Sequence, residues 1–395
     1  MNLDHKIQQR NADEFSILKS LAFLAVVFQS SITYVMNQSN IKLEESFMLG
    51  MLYNFSKFSA PVFIFIVGFH LIHQHKEPVK YKIYIKDKVW KLILPYLYWS
   101  LIYVIFFTNL YGLSLLVLFE KMLTGSAAPH LWYVIMVFQF HLVFPILFYL
   151  FQWVKKHLNS VKFVICTVGF VAISYFLLLW LASKFIFTEN VVTEQSWMKY
   201  IDRSFLFYLF YFFLGGLVAL TLPSWRKLVL KYRTLNKIIF LGMFAIVGYE
   251  LISHQGIAQI DLGVSTYLKP SMFLYVCAEI ILLYRCSMAI VKGRSIIFHV
   301  LKFIGKYTYT AYLAHLFFLQ IIAGGLKFLH VSGQYIILSL VILVIVTIMS
   351  VGFSFFIDKT PGVINKIRVL ERFNYMRFVT SKEGVVYSKI LRRRD

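Results

Sequence analysis

The chain is built from apolar runs, each about as long as the hydrocarbon core of a bilayer is thick, separated by short charged segments. A membrane-crossing helix needs roughly 20 mainly apolar residues. Candidate spans fall at about 16–36, 50–73, 90–111, 131–153, 161–183, 203–222, 236–255, 268–288, 302–326 and 335–358, about ten in all. In lipid, every backbone N–H and C=O must be satisfied within the segment, so single runs of this length fold as helices. The expectation is an all-α integral membrane protein of about ten transmembrane helices. It divides into a leader at 1–15, a membrane domain at 16–358 and a basic tail at 359–395.

The segments between runs alternate in charge. Lys6 and Arg10 precede the first run, and the acidic pair Glu44 and Glu45 follows it. Lys76, Lys80, Lys82, Lys86, Lys88 and Lys91 come next, then the weakly charged stretch from Gly125 to Pro129. The pattern continues through Lys155 and Lys156, the mixed loop with Glu189, Glu194 and Asp202, and the cluster Arg226 to Lys237. Cytoplasmic loops of membrane proteins carry the excess of lysine and arginine. The alternation therefore places both termini in the cytoplasm, implies an even number of spans, and puts His130 at the outer surface. The first run lacks a small-residue cleavage site and reads as a retained helix rather than a signal peptide. The tail is expected to lie along anionic headgroups.

Composition agrees: 59% of residues are hydrophobic and 15% charged, well below the quarter typical of soluble domains. The net charge of +22 is spread between apolar runs rather than gathered on one soluble face, which argues against a nucleic-acid partner. Cys166, Cys277 and Cys286 form no CxxC pair, so disulfide and zinc readings are weak and small buried apolar thiols are expected. No metal site is expected.

Ionisable groups inside a membrane segment are candidates for function. Lys19 opens the first span, and Ser30 stands eleven residues on, about three turns later on the same face. Either these groups form a site, or Lys19 is a topological anchor and Gln29 to Ser31 contact neighbouring helices. His130 and Trp132 lie where a polar loop meets the fourth span. A histidine there is a candidate general base, and a tryptophan is either a belt residue or a surface for substrate, with Tyr133 beside it. His141 either lines a polar path or bonds a neighbouring helix. Thr308, Tyr312 and His315 share one face of the ninth span. They either bind an acyl donor or form an interhelical network. Glu279, near the middle of the eighth span, must be paired or protonated. Lys86, Lys88 and Lys91 form a compact cationic group that suits the phosphates of a cofactor such as coenzyme A, and topology explains them equally well.

Taken in order, these stretches resemble the acyltransferase 3 family of polytopic membrane proteins, in its Gram-positive branch, which includes modifiers of intercellular-adhesion polysaccharides. The landmarks are Leu18 to Ser31, Pro61 to Phe69, Lys86 to Pro95, His130-Leu131-Trp132-Tyr133, Phe213-Leu214-Gly215-Gly216 and Tyr307 to His315. The resemblance implies transfer of a short acyl group, acetyl-like, from cytoplasmic acyl-CoA to a hydroxyl of an extracytoplasmic polysaccharide or lipid-linked glycan. It also implies a bacterial plasma membrane. In the family, an arginine and a histidine eleven residues later serve the transfer. Here Lys19 and Ser30 occupy those positions, and Val67 stands where many members have serine.

Lysine keeps the charge but not the bidentate fork of arginine. Serine is no base near neutral pH, but it is a nucleophile when an activating base lies within hydrogen-bond reach. His130 or His315 supplies that base if the fold brings it close. The expected catalytic set is therefore Ser30, Lys19, His130 and His315. Lys86, Lys88, Lys91 and Tyr312 are expected at the donor, and Trp132 and Tyr133 at the acceptor. The alternative, motivated by Ser30, is an impaired family member that binds or exports polysaccharide. A proton-coupled transporter, resting on Glu279 and the histidines, ranks last because no repeat halves are evident.

Overall fold

The computed structural model describes residues 3–37, 41–107, 114–187, 198–253, 260–326 and 334–360. Most of the basic tail, and the loop residues Glu189, Glu194 and Lys327, lie outside the described residues. Among the described residues there are only helices and turns. They are α1 (Leu3–Met36), α2 (Leu43–Phe55), α3 (Ser59–Gln74), α4 (Tyr81–Lys88), α5 (Leu94–Phe107), α6 (Leu115–Thr124), α7 (Trp132–His157) and α8 (Val161–Phe185), followed by α9 (Leu209–Lys231), α10 (Arg233–Ser253), α11 (Pro270–Gly293), α12 (Ile296–Leu326) and α13 (Tyr335–Lys359).

Nine helical segments among the described residues are long and apolar enough to cross a membrane. The remaining expected span, the ninth, is α12, a continuous helix of 31 residues that is not among those nine. The chain is thus an all-α, multi-pass integral membrane protein. The expected second span is two helices in one, with α2 and α3 meeting at a break over residues 56–58. The expected third span contains a π-helical turn, Val89–Ile93, between α4 and α5. Pro95 follows it. Proline has no N–H for the carbonyl four residues back and crowds it, which accounts for a widened turn at this point. Tyr309 of α12 donates to the Leu92 carbonyl there, at 2.7 Å.

Two family landmarks meet face to face. A Cβ on Gly68 of α3 would overlap the carbonyl of Phe212, and one on Gly215 of α9 would overlap the carbonyl of Phe65. Glycine at both positions lets the backbones touch, the usual device where helices pack without a hydrophobic driving force. Phe212 stacks on Phe140 of α7 with ring centroids 4.7 Å apart.

Helices α1 and α12 run side by side in the same direction. A Cβ on Gly305 would lie 2.5 Å from Ser16 Oγ, Ser20 Oγ donates to the Leu301 carbonyl at 2.5 Å, and Tyr34 donates to the Ala323 carbonyl at 3.4 Å. This parallel register brings the end of the first span to the end of the ninth.

The expected leader is not separate from the first span, since α1 runs unbroken from Leu3 and buries Asn11, Asp13 and Glu14. Glu14 accepts from Arg10 at 3.0 Å, from Arg226 at 2.6 Å and from Tyr284 at 2.7 Å, while Asp13 pairs with Lys302 at 2.7 Å. These contacts tie α1, α9, α11 and α12 together at one end of the bundle. Of the cysteines, Cys166 and Cys286 are exposed rather than buried, on outward helix faces where a small apolar thiol meets lipid.

Candidate active site

At the other end of the bundle the helices surround a cavity of about 1380 Å³. Its wall includes Gln29 and Ser30 of α1, Lys57 and Ser59 at the α2–α3 break, His130, Trp132 and Tyr133 at the start of α7, Tyr267, and Tyr312 of α12.

Ser30 Oγ lies 3.3 Å from Nε2 of His315. The other ring nitrogen, Nδ1, is 2.6 Å from the Tyr312 carbonyl. A carbonyl only accepts, so Nδ1 carries the proton, and in the neutral ring Nε2 presents its lone pair to the serine. Ser30 Oγ is also 3.1 Å from the Val26 carbonyl one turn back. The single hydroxyl hydrogen therefore has two acceptors, the helix backbone and the imidazole. A hydroxyl, a base within reach, and a third group orienting the base is the arrangement of an activated nucleophile. His315 is fully buried, and the partly exposed Ser30 stands between it and the cavity.

Sequence reasoning missed Tyr103, which shapes this site. Its hydroxyl donates to the Leu313 carbonyl at 2.7 Å and accepts from the Phe317 amide at 3.1 Å, the two groups that a regular helix pairs directly. A hydroxyl bonded to both groups of one helical rung fixes that turn to α5, and this turn carries His315. Nothing in the spacing of an aromatic-rich span marks one tyrosine for that role.

His130 is buried with its ring centroid 4.6 Å from that of His315, edge to face, and 5.2 Å from that of Tyr312. Neither ring nitrogen makes a hydrogen bond of regular geometry among the described residues. Burial, then the neighbouring His315, pushes its pKa well below the ordinary 6.5. The loop that presents it is built for one conformation. Gly125 ends α6 at φ +74°, and a Cβ there would come within 2.6 Å of the Trp132 Cα, so only glycine fits on both counts. Arg203 donates to the Thr124 carbonyl and to Ser126 Oγ, the latter at 2.9 Å, and Gln139 holds Arg203 and Phe205 by their backbones. Tyr312 donates to the His130 carbonyl at 2.5 Å, which joins the loop to α12. Trp132 faces Tyr208 and Tyr267 at ring distances of 5.6 and 6.4 Å, and Tyr133 faces Tyr312 at 5.8 Å.

The other expected residues are elsewhere. Lys19 is three helical turns, about 16 Å, before Ser30 and does not line the cavity. Lys86 is exposed, Lys88 lies over the Tyr84 ring at 5.3 Å, and Lys91 pairs with Asp87. These three are also outside the cavity wall. His141 bonds Tyr84 of α4 at 2.6 Å, and so serves a neighbouring helix. Thr308 turns its hydroxyl back to the Ile304 carbonyl at 3.0 Å. Glu279 accepts from Tyr275 at 3.2 Å on one oxygen.

A family profile described as an acyltransferase domain matches residues 13–359. No curated protein and no solved structure matches the chain. The profile covers α1 through α13, including every element that lines the cavity. The chain belongs to the acyltransferase 3 family and is a membrane acyltransferase.

Proposed function

We propose that the protein moves a short acyl group, acetyl in the simplest case, from cytoplasmic acyl-CoA to a hydroxyl of an extracytoplasmic glycan. It does so in a bacterial plasma membrane, with the glycan either a surface polysaccharide or a lipid-linked precursor. The observation that carries this reading is the 3.3 Å approach of Ser30 Oγ to His315 Nε2 at a cavity large enough for a sugar.

His315 Nε2 takes the Ser30 proton as Oγ attacks the thioester carbonyl. The C–S bond breaks, the leaving thiolate takes that proton, and Ser30 holds the acyl group as an ester. The acceptor hydroxyl then gives its proton to His315 and attacks the ester. Ser30 Oγ leaves and is reprotonated from Nε2. The Tyr312 carbonyl keeps the imidazole in one tautomer throughout. His130, neutral and edge-on to His315, adds no charge that would oppose the transient imidazolium. Trp132 and Tyr133 offer ring faces to the sugar. Lys86, Lys88 and Lys91 receive the donor phosphates at the other end of the bundle, and the thin pantetheine arm carries the thioester inward.

The rival reading is a family member that binds polysaccharide without acylating it. Purified protein in proteoliposomes, given radiolabelled acetyl-CoA and a glycan from the native cell surface, separates the two. Label transfer that is lost in both Ser30→Ala and His315→Gln supports the proposal. Transfer unaffected by either substitution ends it. Absence of native turnover, with turnover appearing in Ser30→His, establishes the rival.

A further inference from the structure

Lys57 is 5% exposed, yet it lines the cavity. It sits in the break between α2 and α3, immediately before the N-terminus of the 16-residue α3. Its Nζ is 4.3 Å from the centroid of Tyr53 and 4.6 Å from that of Tyr267, and it donates to the Tyr53 hydroxyl at 3.2 Å. The two carboxylates on the cavity wall have cations of their own. Glu250 pairs with Lys269 at 2.5 Å, and Asp202 lies beside Arg203 at 3.9 Å. Among the described residues no carboxylate forms an ion pair with Lys57.

Burying an ammonium at membrane depth is costly unless a counter-charge answers it. Two tyrosine faces offset part of that cost. Lys57 sits between the C-terminal end of α2 and the N-terminal end of α3, whose dipoles oppose one another, so the ammonium itself is the positive charge at this place. The Tyr267 ring that faces the ammonium belongs to a polar cluster. Ser59 Oγ is 3.2 Å from Tyr267 Oη, and Gln29 Nε2 donates to Ser59 Oγ at 2.9 Å and to the Ser56 carbonyl at 2.5 Å. Gln29 is the immediate neighbour of Ser30, so this polar cluster and the Ser30–His315 pair share one turn of α1.

We infer that the acceptor is an anionic sugar, bearing a phosphate or a carboxylate, and that Lys57 with Ser59 and Tyr267 binds that group beside Ser30. This rests on the reading that the cavity receives the acceptor. It goes further by assigning the acceptor a charge and a subsite. Gln29 is a positioning residue, since it holds Ser59 against the Ser56 backbone.

Equilibrium dialysis of the purified full chain in detergent, with glucose 1-phosphate, glucuronate, methyl glucoside and coenzyme A as probes, tests this without requiring turnover. The native protein is expected to bind at least one of the two charged sugars more tightly than methyl glucoside. Whichever binds identifies the anion as phosphate or carboxylate. Lys57→Met should weaken that binding about tenfold or more, while Lys57→Arg, which keeps the charge, stays near native. Equal affinity for methyl glucoside, no saturable binding of either charged sugar, or unchanged binding in Lys57→Met overturns the inference. So does a Lys57 dependence confined to coenzyme A, which would assign the charge to the donor. A protein that binds charged sugars through Lys57 but turns nothing over sinks the earlier proposal and leaves this one standing. Turnover on neutral glycans that ignores Lys57→Met does the reverse.

Discussion

Ser30 on α1 and His315 on α12 are 285 residues apart in sequence and 3.3 Å apart at their side-chain tips. The contact exists because the two helices run parallel and touch through Ser16, Ser20 and Gly305 well before the cavity. If the pair acts as nucleophile and base, Ser30→Ala and His315→Gln should each lower acyl transfer by about two to four orders of magnitude, with the folded yield unchanged. Ser30→Cys should retain measurable turnover because a thiol is also activated by the same imidazole. Single-turnover assays with labelled acetyl-CoA, including trapping of an acyl-enzyme on denaturing gels, check both.

Tyr103→Phe removes only the hydroxyl that bonds the Leu313 carbonyl and the Phe317 amide. The turn that carries His315 then loses its polar link to α5, which frees His315 to shift relative to Ser30. The expected result is normal thermal stability with kcat reduced by about ten- to a hundredfold. A parallel loss of stability and activity would mean that the hydroxyl serves packing alone.

His130 has a folded-state pKa pushed below its ordinary 6.5 by burial and by His315. The sign follows from proton counting. Between the two values the unfolded chain binds the proton and the folded chain does not, so stability rises with pH through that window. The stabilisation is complete above about pH 6.5 and declines as pH falls below it. In detergent, the melting temperature should drop between about pH 6.5 and pH 5, and His130→Gln should flatten part of that slope. Equal slopes in the two proteins would count against a neutral buried His130.

Glu14→Gln leaves the largely buried Arg226 guanidinium without its counter-charge, and puts an NH2 group where one carboxylate oxygen accepted, so either Arg10 or the Arg226–Tyr284 pair loses its acceptor. The expected cost is about 3 kcal/mol. Adding Arg226→Met to Glu14→Gln should recover part of it, because the pair is then absent together. Chemical unfolding of the single and double variants measures the coupling.

Gly215→Ala places a methyl group on the Phe65 carbonyl, and Gly125→Ala meets both a left-handed backbone and Trp132. Each should cost at least about 1–3 kcal/mol. Gly215→Ala should lower folded yield in size-exclusion chromatography. Gly125→Ala, at a loop, should mainly loosen the His130 turn and reduce activity more than yield.

Much of the fold was legible without coordinates, for a simple reason. Lipid forces each apolar run to satisfy its own backbone, so length and hydropathy suffice to find spans. The ten runs found in the sequence each fall on a membrane helix, while α4 and α6 lie outside them, and the landmark glycines at 68 and 215 proved to be a backbone contact. Interruptions were harder to see. The α2–α3 break at residues 56–58 and the π-turn at Val89–Ile93 sit inside apolar stretches whose composition barely changes. Lys57, inside the expected second span, was not singled out for that reason. Glu14 looked like part of a charged leader because nothing local announces a partner more than two hundred residues away.

By itself, the sequence determined that this chain is a helical membrane protein, and it singled out Ser30, His130, His315, Trp132, Tyr133 and Tyr312 as residues able to carry chemistry. Periodicity says which face of a helix a side chain occupies. It does not say which other helix that face will meet, because any two spans in a bilayer can be neighbours. Only the tertiary structure decided that α1 lies along α12 in parallel. That packing set His315 rather than His130 beside Ser30, left Lys19 and the α4–α5 lysines outside the cavity, and brought the buried Lys57 to the same turn as Ser30.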